Sequence, residues 1–123
     1  MKEIDDIVLV GPCAAGKSTL ANELRGMGFR VHPVAQEHSG IRHLWRRHAT
    51  HALVFLDVDL PHVHQRGRPN FPDWLHEKQR VRLSEARDAA NLYVDTSPLS
   101  APDVLHTVLD YLSSHDIEPH HHD

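Results

Sequence analysis

The run Gly11-Pro12-Cys13-Ala14-Ala15-Gly16-Lys17-Ser18 meets the pattern G-x-x-x-x-G-K-[ST] at every specified position. Glycines at that spacing let a short loop curl, so that successive backbone N–H groups, those of Cys13, Ala14 and Ala15 among them, point inward at an anion. A helix that begins after Gly16 aims the positive end of its dipole at the same place. Lys17 supplies a point charge suited to the β- and γ-phosphates of a nucleotide, and the Ser18 hydroxyl is a hard oxygen donor for Mg²⁺. Cys13 reads as a small side chain at an unspecified loop position. The chemistry is polyphosphate binding, on condition that a buried strand precedes the run and a helix follows it.

Both conditions are met by the flanking residues. Ile7-Val8-Leu9-Val10 is short, continuous and β-branched, the pattern of a strand buried on both faces. Lys17 to about Arg25 is rich in helix formers, with Gly26 and Gly28 to end it. Phe29 to Val34 predicts a second strand, and Pro33 places it near a sheet edge. Ser39 to about Thr50 predicts a short amphipathic helix, and Ala52 to Val58 a third strand. Pro61 to Arg66 starts another helix, and the run 67–72 is a Gly- and Pro-rich loop. Asp73 is positioned to cap one long helix reaching about Ala90, with Trp45 and Trp74 read as core or interface residues. Leu92-Tyr93-Val94-Asp95 is a last strand before Thr96-Ser97-Pro98, and Ser100-Ala101-Pro102-Asp103 opens a final helix as a capping box. Strands alternating with helices predict an α/β domain: a small parallel sheet of about four strands flanked by helices.

At 123 residues the chain has room for one such domain, taken as 1–115, with 116–123 as a disordered tail. Its 13 Lys+Arg against 17 Asp+Glu give a formal charge of −4, which lacks the positive field that nucleic-acid binding needs. No apolar run is long enough to span a bilayer, and the acids in the first residues do not resemble an export signal. With its single cysteine, the chain is expected in the reducing cytoplasm, with neither membrane nor nucleic acid as partner. The 13 histidines follow no zinc-ligand spacing; His62, His64, His48, His51 and His120–His122 read as surface residues.

A bound nucleotide also needs a carboxylate for the Mg²⁺ water shell and cations for the phosphoryl oxygens. Asp57, closing Leu53-Val54-Phe55-Leu56, and Glu37, beyond the second strand, are the two acid candidates. Pattern alone favours Asp57. Arg66 and Arg68, flanking Gly67, are the arginine candidates. Arg80 and Arg87 lie seven apart, on one face of the long helix, where Glu77 and Glu85 make a solvated charged face the simpler reading.

The chain resembles the P-loop nucleoside triphosphate hydrolase superfamily, and within it the small metabolite kinases such as shikimate, gluconate and adenylylsulfate kinases. The resemblance is carried by Gly11–Ser18 with Thr19-Leu20-Ala21, by Phe55-Leu56-Asp57-Val58, and by Leu92-Tyr93-Val94-Asp95-Thr96 before a Ser-Pro turn. It implies the P-loop fold, adds Thr19 to the phosphate-binding residues, and puts the base at Thr96 and Pro98. It also implies that the second strand pairs beside the loop, which moves Glu37 slightly ahead as the metal-side acid with Ser18. Catalytic roles would then fall to Lys17, Glu37, Asp57, Arg66 and Arg68. The segment between Gly28 and Leu53 leaves room for one strand and one short helix, without an evident acceptor pocket. The expectation is an ATP-binding protein with Mg²⁺, the missing N-K-x-D run favouring ATP over GTP. Two forms stay open: a minimal kinase passing the γ-phosphate to a small molecule, and a nucleotide-responsive protein-binding module without turnover. The exposed edge of so small a sheet predicts a homodimer.

Overall fold

The computed structural model describes residues 6–12, 14–33 and 52–117. Four strands form one all-parallel sheet in the order β2-β1-β3-β4: β1 (Asp6–Val10), β2 (Arg30–Pro33), β3 (Ala52–Asp57) and β4 (Leu92–Asp95). The expected α/β class and four-stranded parallel sheet are what the chain forms. Five described helices accompany it: α1 (Lys17–Gly26), α2 (Leu60–Gln65), α3 (Asp73–Arg82), α4 (Ser84–Ala89) and α5 (Ala101–Ser114). The helix expected over Ser39–Thr50, with Trp45, His48 and His51, lies outside the described residues. So do Cys13, Glu37 and His120–His122.

Period-two alternation divides the core between the two faces of the sheet. Ile7, Leu9, Ala52, Val54 and Leu56 meet Leu20, Ala21 and Leu24 of α1 and Val104, Val108 and Leu112 of α5. Val8, Val10, Leu53 and Phe55 point the other way, onto Leu83 and Ala86. β1 and β3 are therefore covered on both sides, which is why their sequences are continuously apolar rather than alternating. β2 is an edge strand ending at Pro33, where a residue with no N–H does least harm.

Helix ends follow capping chemistry. After α1, Gly28 (φ 99°) and Phe29 donate their N–H groups to Arg25 O and Leu24 O, a Schellman turn that drops Phe29 into the core. The end of α5 repeats this turn with Asp116 (φ 60°) and Ile117, donating to Ser113 O and Leu112 O. Ile117, assigned to the tail by its position in the sequence, instead packs in the core beside Leu112. At the start of α5, Ser100 and Asp103 form the expected reciprocal capping box.

Three local expectations are corrected. The single helix from Asp73 to Ala90 is interrupted at Leu83, whose side chain is drawn into the core under β3, leaving α3 and α4 as separate segments. Asp73 is the first helical residue rather than the cap; Pro72 occupies the capping position without a side-chain bond. Trp74 is not a core residue: it is 64% exposed, because it lies on the face of α3 opposite buried His76 and Gln79. Among the described residues no helix is long and apolar enough to cross a membrane.

Candidate functional site

The site forms where β1 runs out of the sheet. Val10 pairs with Phe55, so Gly11 comes level with Leu56. The strands are so close here that a Cβ on Gly11 would stand 1.9 Å from the Leu56 carbonyl oxygen. No other residue type fits that position without moving β3. Ala14 (φ 66°) and Gly16 (φ 99°) then turn the chain through left-handed conformations into α1. Gly16 caps that helix without a side-chain bond, and no acid lies in the first turn. The helix start thus offers backbone N–H groups and the positive end of its dipole with nothing of its own to neutralise them. Ser18 and Thr19 are exposed there. Lys17 arches back over the loop and donates to Gly11 O (2.5 Å) and Pro12 O (3.2 Å), so its ammonium sits above the segment's own start.

Arg66, the residue that follows α2, reaches across to the same loop. Its Nη1 donates to Ala14 O (2.8 Å) and Thr96 Oγ1 (3.0 Å), and its Nη2 to Thr96 O (2.5 Å). Thr96 is itself buried, its N–H and hydroxyl both donating to Asp57 O at 2.8 Å. One guanidinium therefore ties the loop after β1, the loop after β4 and, through Thr96, the end of β3. Against this tie lies a cavity of about 320 Å³, bounded by Ala14–Gly16, Thr19, Glu23, Arg66, Thr96 and the start of α5.

Gly11, Ala14, Ala15, Gly16, Lys17, Ser18, Thr19, Arg66 and Thr96 are all gathered at this end of the sheet, but Arg68 and Pro98 are not part of it. Arg68 is exposed, its guanidinium carbon 6.0 Å from the centre of the Phe71 ring. Pro98 is exposed too, and Leu99 lines the cavity in its place. Asp57 points to the other face of the sheet, because it alternates with Leu56. Its Oδ1 accepts from Val58 N (2.9 Å), its Oδ2 accepts from the Tyr93 hydroxyl (2.5 Å), and Arg80 Nη2 stands 3.6 Å away. Among the described residues no hydrogen bond links this carboxylate to Ser18, and it is the Asp57 carbonyl that serves the site. His62 pairs with Asp59 (2.6 Å) and His64 with Phe71 O (2.8 Å), and no described trio of His, Cys, Asp or Glu could hold a metal.

Sequence reasoning missed two groups. Glu23 lines the cavity one helical turn beyond Thr19, a placement that i,i+4 spacing on α1 would have given. The second is the polar cluster around Asp57. Tyr93 stacks on Phe55 with ring centres 5.8 Å apart, and its hydroxyl is pushed up to about 12 by burial and by the bond to Asp57. His76 is buried with both ring nitrogens unpartnered among the described residues; burial, reinforced by Arg80, holds its imidazole below its ordinary value, while Asp57, Glu77 and Asp59 pull the other way.

No protein-family model matches the chain, and no curated protein is significantly similar to it. Among solved structures it resembles the YorR protein of Bacillus subtilis, determined in complex with phosphorylated GDP, with a TM-score of 0.52 and 16% identity over 95% of this chain and 99% of that one. At that identity the likeness establishes the fold: a parallel α/β sheet shared with a protein solved with a nucleotide.

Proposed function

We propose that the chain is a nucleotide-binding protein of the P-loop type, holding the phosphates of a nucleoside di- or triphosphate in the Gly11–Ser18 loop with Mg²⁺. One observation carries this: the bare, positively polarised start of α1 opens beside a cavity large enough for a base, with Arg66 in the cavity wall and the Lys17 ammonium on the carbonyls at the start of the loop. The nucleotide seen with YorR supports the same ligand class. In this reading Lys17 exchanges its two loop carbonyls for phosphate oxygens, and the loop N–H groups hold the rest. Arg66 holds the wall between phosphate and base. Mg²⁺ suits the donor set: the exposed Ser18 hydroxyl makes no hydrogen bond among the described residues, and Mg²⁺ is commonly held by one or two protein oxygens together with phosphates and water. When bound it would neutralise charge on the phosphates.

Transfer of the terminal phosphoryl group to a small hydroxylated acceptor is the enzymatic form of this proposal. The second form, a nucleotide-responsive binding module without turnover, is favoured by the Asp57 carboxylate. It is occupied by Tyr93, Val58 and Arg80 and faces away from the loop. Thermal melting with a panel of nucleotides, with and without Mg²⁺, tests the shared claim. A ligand at 100 times its Kd adds about 2.7 kcal/mol, a rise of roughly 8–15 °C for a chain of this size. Lys17→Ala should lose that rise. No shift with any nucleotide at millimolar concentration defeats the proposal, and acceptor-dependent release of nucleoside diphosphate above the Lys17→Ala background decides for the enzyme.

A further inference from the structure

We infer that the cavity beside the Gly11–Ser18 loop selects guanine-type bases, with the Glu23 carboxylate as the group that determines this specificity. The inference rests on the nucleotide-binding reading and names the base for that same site.

The cavity walls are largely apolar, with Ala14, Leu20, Leu99 and Val104 able to receive the faces of a planar ring. Its polar groups differ in how far they are already used. The Thr96 hydroxyl donates to Asp57 O and accepts from Arg66, and the Thr96 carbonyl accepts from Arg66 and from Leu99 N. Arg66 has spent N–H groups on Ala14 and on both oxygens of Thr96. The Glu23 carboxylate, one turn along α1 from Thr19, has no hydrogen-bond partner among the described residues.

A carboxylate can only accept hydrogen bonds. Guanine presents two adjacent donors on its pairing edge, N1–H and the N2 amino group, which match the two oxygens of one carboxylate. Hypoxanthine keeps N1–H but lacks the amino group. Adenine offers its N6 amino group beside an N1 lone pair, which a carboxylate repels. Cytosine has the same mismatch, and uracil has a single N–H between two carbonyls. Guanine is the common base with the full complement.

Titration calorimetry with GDP, IDP and ADP, each with Mg²⁺, provides the test. A hydrogen bond to a charged group at a partly exposed site is worth about tenfold in affinity. GDP should therefore bind about tenfold more tightly than IDP, with ADP weaker still. Glu23→Gln keeps one acceptor but replaces the other with a donor, so the ratio of GDP to ADP affinity should fall about tenfold or more. Equal binding of the three nucleotides, or an unchanged ratio in Glu23→Gln, overturns the base assignment while leaving nucleotide binding intact. Binding of none of them overturns both. The IDP comparison uses the unaltered protein, so a fold defect in the variant cannot shield the inference.

Discussion

Gly11→Ala should damage this protein in a way that needs no ligand to detect. The added Cβ would lie 1.9 Å from the Leu56 carbonyl oxygen, whereas ordinary contact begins near 3.4 Å. The strands must separate at that point by roughly 1 Å or more. Leu56 cannot yield cheaply: β3 is fully buried along its length, and Leu56 is in register with Val94 of β4. Overpacking of this kind costs about 1–3 kcal/mol, and backbone meeting backbone belongs at the upper end. At about 3–6 °C per kcal/mol the melting temperature should fall by roughly 10–15 °C. Gly16→Ala is the matched control, because a Cβ there meets nothing within 4 Å and only the left-handed φ of 99° resists it. That conformation costs about 1–2 kcal/mol, a fall of roughly 5 °C. Melting followed by circular dichroism, supported by urea titration without nucleotide, gives the order. If Gly11→Ala melts within about 2 °C of the parent, or falls less than Gly16→Ala, the close approach of the loop to β3 is not a constraint on the fold.

Arg66→Ala removes the guanidinium that ties Ala14 to Thr96, and should cost about 1–3 kcal/mol in denaturant titration. Nucleotide affinity should fall as well, whereas Arg68→Ala should leave stability within about 0.5 kcal/mol. Tyr93 is tied to Asp57, so its phenolate absorbance at high pH should appear near 12 rather than 10. A phenol raised in the folded state stays protonated while the unfolded chain ionises, so stability falls as pH rises from about 10 to 12, and Tyr93→Phe should flatten that part of the curve. His76 has the opposite sense. Its imidazole is lowered on folding, so the unfolded chain takes up the proton first, and stability falls as pH drops below 6.5. His76→Leu removes two unpartnered buried nitrogens, and should raise the melting temperature while reducing the acid loss relative to the parent.

The sheet was readable because it is a problem of one-dimensional pattern. β1 and β3 are buried on both faces, so their runs of Val, Leu and Ile stand out from any neighbour, and Ser100 and Asp103 announce α5 through local chemistry alone. The break at Leu83 was not readable, because no Gly or Pro marks it. It exists because a leucine side chain is pulled beneath Phe55 and Val10, a contact between segments far apart in the chain. The core alternative for Trp74 failed for the same reason: its helical spacing says which residues share a face, but only the packing of α3 on the sheet says which face is inward. Asn91 also went unseen, although its side chain accepts from Leu53 N (2.7 Å) and its N–H donates to Leu53 O (2.8 Å), extending the β3–β4 ladder by one residue. In the site, what the loop motif made legible is backbone: Gly11 stands where a Cβ would meet β3, and Gly16 turns the chain into α1 through a positive φ. Glu23 belongs to no motif, and the lack of an N-K-x-D run speaks only to one way of recognising guanine.

The end of β3 shows how a small sheet can separate two kinds of polar chemistry with a single peptide. Alternation sends the Asp57 side chain to the α3 face, where Tyr93, Arg80 and His76 surround it, while the Asp57 carbonyl holds Thr96 on the cavity side. Thr96 in turn fixes Arg66, and Arg66 fixes Ala14. A displacement of Ala14 by an arriving phosphate would therefore be felt at Asp57 through three hydrogen-bonded steps, none of which crosses the apolar core. Because the Arg66 guanidinium at the centre of the path is held by three hydrogen bonds and Thr96 is held on Asp57 O by two more, motion of the loop and of the Asp57–Tyr93 pair should be correlated rather than independent. Tyr93 is half exposed and its ring lies on Phe55, so its near-ultraviolet dichroism offers a direct optical report of nucleotide arrival on the far side of the sheet. Arg66→Ala, which cuts the path at its centre, should abolish that report at saturating nucleotide.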